Sequence, residues 1–160
     1  MHETSQQERL ESPGDVLLRA SRALVAIAAR SLVPVEDQVT LAQYRALVVI
    51  ASRGPLRPAD LAAELDVTPS TATRLCDRLS RKQLIERAHR ESDRREVELS
   101  LSADGRKLVN EVTARRRRDL RRILSSIPAE EQAQLVDSMR IFTAAAGELP
   151  EGSWSLGLTP

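Results

Sequence analysis

Hydroxyl and guanidinium groups are concentrated in one short stretch, "ELDVTPSTATRLCDRL", which runs from Glu64 to Leu79. Three threonines and a serine surround Pro69, arginines follow, and Cys76 is the only cysteine of the chain. Hydroxyl and guanidinium groups hydrogen bond to phosphates and to the edges of bases, whereas an accessible thiol can act as a redox sensor. The stretch therefore leaves two alternatives, a helix that docks on a partner and a helix built around a reactive thiol.

The stretch predicts a helix with two distinct faces. Thr68 is a suitable N-cap and Pro69 a suitable first helical residue. At about 100° per residue, the apolar side chains fall together on one side, as Ala72, Leu75, Cys76 and Leu79. The opposite side carries Ser70, Thr71, Thr73, Arg74, Asp77, Arg78 and Arg81. Hydroxyls at the start of the helix and guanidinium groups further along suit entry into the major groove of DNA. A capped surface helix is the plainer alternative.

The thiol alternative is weakened by the same projection. Cys76 shares the packing face with Leu75 and Leu79, where a free cysteine behaves as a small hydrophobic residue. A sensor thiol needs access to solvent and a positive environment. We therefore expect Cys76 to pack in the core and keep redox sensing as the alternative.

Composition limits the class of protein. The chain has 160 residues, enough for one domain. Hydrophobic residues make up 41% but aromatic residues only 2%, so the core must be aliphatic, which favours helices. One cysteine and two histidines exclude an internal disulfide and a cysteine-rich zinc site. No nucleophile stands beside a base, so we expect neither a cofactor nor enzymatic activity.

The chain has no segment of membrane-spanning character. No apolar run approaches the roughly 18–20 residues that a span needs, so the sequence predicts a soluble, cytoplasmic protein.

Charge is unevenly distributed: between Arg74 and Arg122 there are 16 Lys and Arg against 9 Asp and Glu, although the net charge is only +1. A localised positive field suits a polyanionic partner, while a solvated arginine-rich helix is the alternative.

The flanking periodicity predicts the elements that must hold this helix. An amphipathic helix covers 15–31, and a second helix runs from the capping box of Thr40 and Gln43 to Gly54. A short helix from Pro58 ends in a tight connection before Thr68, which is the helix-turn-helix plan.

After the helix-turn-helix, apolar and polar residues alternate along the chain. Val97, Leu99 and Leu101 alternate with polar residues and predict a strand, paired through a charged hairpin tip in a two-stranded wing. A long helix then starts at Ser102 or Ala103, and a last helix runs from Pro128 with its apolar residues turned inward, as Leu135, Val136, Met139, Phe142 and Ala146. The apolar stripes of the first and last helices exceed what a small winged domain can cover, which predicts a dimer. Packing into one intramolecular bundle is the alternative.

The segment "LRPADLAAELDVTPSTATRLCDRLSRKQLIERAHRESDRREVELSLSADGRKL" resembles the winged helix-turn-helix core of the MarR family of bacterial transcriptional regulators. Its most specific part is "SDRREVELSLSADG", which is similar to the wing signature of that family. The resemblance implies a mainly α (α+β) fold, a winged helix-turn-helix at about 40–102 with dimerisation helices at about 15–33 and 103–147. The single domain would cover 15–147, between a flexible N-terminal segment 1–14 and a tail 148–160.

The resemblance also implies a function and its residues. A homodimer would bind an inverted-repeat operator in double-stranded DNA as a repressor, through Thr68, Ser70, Thr71, Thr73, Arg74, Arg78, Arg94 and Arg95. Asp93 would orient an arginine of the wing rather than contact DNA. A winged-helix adaptor that binds an acidic protein is the alternative.

Members of the family often bind small aromatic or anionic molecules between the dimer helices and the DNA lobe. Such a ligand would contact Leu24, Ile27, Tyr44 and Leu47 here, and plain core is the alternative for each. The redox subgroup of the family carries its cysteine near the start of the first long helix, and this chain has none there. Four successive residues span every side of a helix, so at least one arginine of the run 115–118 must approach the apolar stripe. This arginine could pair with acidic residues of a partner subunit, approach a DNA phosphate or extend its charged end to solvent.

Overall fold

The fold is mainly α-helical with a small antiparallel sheet. The computed structural model describes residues 12–90, 93–150 and 154, and only the backbone at residue 90 and at 93–96. Its elements are α1 Pro13–Leu32, α2 Leu41–Arg53, α3 Pro58–Leu65, α4 Pro69–Arg81, β1 Ile85–Arg90, β2 Asp93–Leu101, α5 Ala103–Leu124 and α6 Ala129–Ala145. The predicted fold class is confirmed. Across the described ranges, no helix is both long enough and apolar enough to cross a bilayer.

Side-chain caps fix the helix boundaries where the sequence predicts them. The amide of Gln43 donates to Thr40 Oγ1 at 3.3 Å, and the amide of Thr40 donates to Gln43 Oε1 at 3.1 Å, which completes the capping box of α2. Gly54 ends this helix with a φ of 76°, a conformation that glycine adopts without strain. After α1 the chain continues as a short 3-10 helix, Val33–Val35, which includes Pro34.

The two ends of the chain are described only in part. The expected flexible segment 1–14 falls outside the described residues up to residue 11, and α1 already begins at Pro13, capped by Ser12. Of the expected tail 148–160, residues 151–153 and 155–160 also fall outside. Trp154, between them, packs against the core.

The core forms around α2, which lies between the helix-turn-helix and α5. It is aliphatic, as the composition predicts, with Tyr44 as its aromatic member among the fully buried side chains that the structure describes. Contributions come from every neighbouring element: Leu47 and Ile50 of α2, Leu61 of α3, Leu79 of α4, Leu99 of β2 and Val109 and Val112 of α5. These buried aliphatic contacts hold α4 against the rest of the domain.

The wing is a two-stranded antiparallel sheet in which Ile85 pairs with Leu101 and Arg87 with Leu99. Leu99 and Leu101 are buried, so the predicted alternation of β2 is confirmed. The sequence did not predict a third pairing on the other edge. There the amide of Leu56 donates to Leu99 O at 3.2 Å and the amide of Leu99 donates to Leu56 O at 2.8 Å. This bridge ties the start of the helix-turn-helix to the wing.

The last helix departs from expectation. Its periodicity predicts that Leu135, Val136, Met139, Phe142 and Ala146 turn inward, but within one chain this is wrong, because no residue of α6 is buried and Phe142 is 47% exposed. The physical reason is that α6 has no extensive contact with any other described element. Gln132 joins the two helices, since its Nε2 donates to Leu124 O at 2.9 Å and to Ile127 O at 2.8 Å. At the far end, Arg53 Nη2 donates to Gly147 O at 3.0 Å.

Candidate nucleic-acid interface

The two faces predicted for α4 are confirmed. Ala72, Cys76 and Leu79 are fully buried, and Leu75 is half-buried beside them. The opposite face is exposed along the whole helix, with Ser70, Thr71, Thr73, Arg74 and Arg78. The fold thus presents to solvent the polar face on which the sequence places the contacts to DNA.

Hydroxyl groups crowd the first turn of α4. Thr68 caps the helix, because its Oγ1 accepts from the amide of Thr71 at 3.3 Å. The same oxygen lies 3.1 Å from Ser70 Oγ and 2.9 Å from Thr71 Oγ1. The hydroxyl of Thr73 points elsewhere, since it donates to Pro69 O at 2.9 Å. Thr68 therefore has a structural role as the cap of the helix that carries the other three residues.

Two of the three arginines of the outward face have guanidinium groups without a partner among the described residues. Within the described ranges, neither Arg74 nor Arg78 has a hydrogen-bond or ion-pair partner. Arg81, one turn further, donates from Nε to Asp77 O at 3.3 Å. Arg74 and Arg78 can therefore offer their donors to an incoming molecule without first breaking an interaction within the chain.

Two polar contacts that sequence reasoning missed fix the position of α4. Arg87 Nη2 of β1 lies 2.6 Å from Asp77 Oδ1, which joins the helix to the wing. Lys82, just after α4, donates from Nζ to Gln38 O and, at 3.5 Å, to Gln43 Oε1. The sequence did contain a signal for the first contact. Asp77 is a carboxylate among the outward arginines of α4, and a cationic partner from another element could have been expected for it.

The wing residues are placed only by their backbone. Arg94 and Arg95 lie on β2, one and two positions after Asp93, which pairs with Arg90 at the tip side of a register shift. The orienting role expected for Asp93 depends on its side chain, which lies outside the part of the structure that is described, as do those of Arg94 and Arg95. Because α4 packs against β1, this helix and the wing form one unit.

Cys76 is packed as a core residue. Its exposed fraction is 0%, and it belongs to the same cluster as Leu79 and Leu47. Burial raises the pKa of the thiol, while the nearby Arg87 partly opposes that rise. A protonated thiol without solvent contact is a poor nucleophile. The geometry thus favours the packing role over the redox alternative.

The four residues expected to line a ligand site are not equivalent. Ile27, Tyr44 and Leu47 are buried, whereas Leu24 is 47% exposed on α1. Tyr44 has polar neighbours despite its burial: its hydroxyl lies 3.3 Å from Thr113 Oγ1.

The arginine run on α5 is divided between solvent and protein. Arg117 and Arg118 are exposed, while Arg115 and Arg116 are half-buried. Arg116 is the residue that approaches the apolar stripe, because its Cζ lies 5.5 Å from the ring centroid of Tyr44, within cation–π range. Its Nε is buried and has no hydrogen-bond partner within the described residues, and the same holds for Nη1 of Arg115.

Comparison with known proteins agrees with this geometry. The sequence model of the MarR family matches residues 39–97. The HTH-type transcriptional repressor MdtR of Bacillus subtilis is 38% identical over 96 residues, which cover 60% of this chain and 62% of that repressor, less than two thirds of its length.

Two further relatives are matched over more of their length. The uncharacterized HTH-type transcriptional regulator Mb0904 of Mycobacterium bovis is 30% identical over 112 residues, which cover 70% of this chain and 78% of that protein. The crystal structure of RV1404 from Mycobacterium tuberculosis superposes with a TM-score of 0.80 at 40% identity, covering 88% of this chain and 98% of that one. The winged helix-turn-helix, the exposed polar face of α4 and these relatives together show that the chain belongs to the MarR family of HTH-type transcriptional regulators.

Proposed function

We propose that the protein is a homodimeric, sequence-specific DNA-binding repressor of the cytoplasm, without enzymatic activity. Each protomer places α4 in the major groove of one half-site of an inverted repeat, and the β1–β2 tip reaches the adjacent minor groove or its phosphates. Arg94 and Arg95 supply the cationic groups of the tip, and Asp93 orients one of them. A repressor role is favoured by the relative MdtR of Bacillus subtilis, which is named as a transcriptional repressor.

The observation that carries the proposal is the outward face of α4. Arg74 and Arg78 lie there without partners in the described part of the chain, after a first turn rich in hydroxyl groups. Arginine can hold guanine through two hydrogen bonds to O6 and N7, and serine or threonine can bind phosphate or base edges. A helix that presents these groups in this order is fitted to read a base sequence.

The exposed apolar faces of α1 and α6 support the dimer. Large hydrophobic side chains lie in water on both helices: Val16, Leu17, Leu18, Leu24 and Val25 on α1, and Leu135, Val136 and Phe142 on α6. Soluble monomers rarely leave large contiguous apolar patches exposed. A second copy of the chain would cover these residues, and its two-fold symmetry would match an inverted repeat.

A test of the proposal compares Arg74→Ala with Arg95→Ala. The preferred duplex is first selected from a randomised pool with the wild-type protein. Arg74→Ala should lose about 1–3 kcal/mol of discrimination at one base pair of each half-site, because a bidentate contact to a base is removed. Arg95→Ala should weaken binding to all duplexes and lower the slope of log affinity against log salt by about 1 per contact, because a phosphate contact is lost.

The two substitutions serve as controls for each other, since both remove one arginine from the same binding surface. Equal losses on specific and random duplexes for Arg74→Ala would contradict base reading by α4. An unchanged salt slope for Arg95→Ala would contradict the placement of the wing. Weak, sequence-blind retention of the wild-type protein would favour the adaptor alternative.

A small aromatic or anionic ligand is the second part of the proposal. It would bind between α1, α2 and α5, against Leu24, Ile27, Tyr44 and Leu47. The support is electrostatic: Arg116 lies over Tyr44 with a buried Nε that has no acceptor in the described part of the chain. An unsatisfied buried donor on a charged group is costly, and a carboxylate or phenolate would satisfy it. Binding there would displace α2 and α5, and the position of α4, which packs on the same core, would change with them.

This part is tested by a thermal-shift screen of phenols and aromatic carboxylates. We expect at least one anionic compound to raise Tm and to release the selected duplex. Arg116→Gln should lose the response to that compound while keeping dimerisation and DNA affinity, whereas Arg117→Gln, at the exposed position next to it, should keep the response. If no compound changes Tm or DNA affinity, or if Arg117→Gln and Arg116→Gln behave alike, the ligand site is placed wrongly.

A further inference from the structure

Thr73 stands apart from the other hydroxyl residues of α4. It is exposed on the outward face, directly before Arg74. Its hydroxyl is committed within the helix, because Oγ1 donates to Pro69 O at 2.9 Å, four residues back. To donate a hydrogen bond to a base, Thr73 would first have to give up this hydrogen bond to the backbone of its own helix.

Ser70 and Thr71 differ from Thr73 in this respect. Both lie beside Thr68 Oγ1, and that oxygen already uses one lone pair to accept from the amide of Thr71. A hydroxyl oxygen has two acceptor positions, so at most one of the two neighbouring hydroxyls can donate to it. The other keeps its proton for a molecule outside the chain. Hydrogen-bond donation to DNA is thus available at the first turn, whereas at Thr73 it requires the loss of an existing hydrogen bond.

The group that Thr73 offers is its γ-methyl. With the hydroxyl turned toward the backbone of its own helix, the remaining heavy atom on Cβ is an apolar methyl on an exposed side chain. In the major groove, the 5-methyl of thymine is the apolar feature that distinguishes an A·T pair from a G·C pair. Methyl against methyl is therefore the contact that this geometry favours.

We propose that Thr73 is a specificity-determining residue that selects thymine at one position of each half-site by apolar contact between its γ-methyl and the thymine 5-methyl. This inference rests on the proposed DNA-binding function and assigns a chemistry to one residue of it. Arg74, the next residue, selects a base by hydrogen bonding. Neighbouring residues of one helix thus read two different chemical properties of the groove.

The test removes one methyl group from either side of the contact. In the duplex selected by the wild-type protein, each thymine of the half-site is replaced in turn by deoxyuridine, which lacks only the 5-methyl. We expect one position where this replacement weakens wild-type binding about fourfold per half-site, the effect of removing one methyl-sized apolar group from a contact. Thr73→Val, which keeps the methyl, should show the same sensitivity. Thr73→Ser, which keeps the hydroxyl, should bind thymine and deoxyuridine duplexes equally.

The opposite pattern overturns the proposal. If Thr73→Ser keeps the thymine preference and Thr73→Val loses it, the hydroxyl reads the base. The wild-type protein could also discriminate between duplexes and yet bind every deoxyuridine duplex as tightly as the thymine duplex. In that case it does not contact a thymine methyl. A selection that yields no preferred duplex would remove the proposed function itself and this inference with it, which is a distinguishable result. Circular dichroism of the two variants confirms that the exposed substitutions leave the helix folded.

Discussion

Phe142→Asp is expected to convert the protein into a folded monomer that has lost high-affinity operator binding. Phe142 lies on the apolar stripe of α6 and is half-exposed in the single chain, so an aspartate there does not disturb the core of the protomer. In a symmetric dimer the substitution occurs twice, and each carboxylate would have to leave water. At several kcal/mol for each buried ion, a total of about 4 kcal/mol or more raises the dimer dissociation constant by at least about 10³-fold.

The loss of the dimer should be visible in DNA binding. Two linked half-site contacts gain about 10² to 10⁴ in affinity over one, and this gain disappears in a monomer. Analytical ultracentrifugation gives the mass, circular dichroism the helix content and a gel shift the affinity. Ala133→Asp is the matched control, because it adds the same charge at an exposed position of α6 on the side opposite Phe142, about 180° away at 100° per residue. A dimeric Phe142→Asp protein, or loss of the dimer in both variants, would contradict the assignment of this face.

Gly105→Ala is expected to destabilise the fold more than any other single methyl addition at the glycines described. A Cβ at this position would lie 2.0 Å from Leu84 O, a backbone atom that cannot rotate away. We expect the free energy of unfolding to fall by about 3 kcal/mol, at the upper end of typical overpacking costs. This corresponds to a decrease in Tm of about 6–12 °C. Thermal denaturation followed by circular dichroism measures both quantities.

Gly14→Ala provides the comparison for this effect. Gly14 is also in the first turn of a long helix, but a Cβ there would meet only Ser12 Oγ at 3.7 Å, an ordinary contact. Alanine should therefore raise the free energy of unfolding by about 0.4–1 kcal/mol, because the unfolded chain loses freedom. If the two variants had similar Tm values, the close approach of α5 to Leu84 would not be a constraint on the fold.

The close contact at Gly105 also connects the helices of the proposed dimer interface to the winged helix-turn-helix. Ser102, the N-cap of α5, donates from Oγ to Gln83 O at 2.6 Å and accepts from the amide of Gly105 at 3.0 Å. The start of α5 is therefore fastened to the segment between α4 and β1. Because α5 is one continuous helix that leads to α6, the packing of α6 in the proposed dimer would set the separation of the two copies of α4. Movement at the dimer helices would be transmitted to α4 along this helix.

Structural features that depend on residues close together in the chain could be predicted from the sequence. The capping box of Thr40 and Gln43, the two faces of α4 and the inward position of Cys76 depend on residues within a few positions of one another. Helical periodicity and side-chain caps act over such distances, so these predictions needed no knowledge of the tertiary fold. The alternation of Leu99 and Leu101 on β2 was readable for the same reason.

Contacts between distant residues were decided only by the tertiary structure. The pairing of Asp77 with Arg87, the bridge of Leu56 to Leu99 and the position of Arg116 over Tyr44 join different elements, and no spacing in the sequence specifies them. The exposed apolar stripe of α6 is a second feature that the sequence could not place. Periodicity identified an apolar face that must be covered, but it did not say whether the covering surface belongs to the same chain. That choice depends on where α5 directs α6, which is set by the packing of the whole domain.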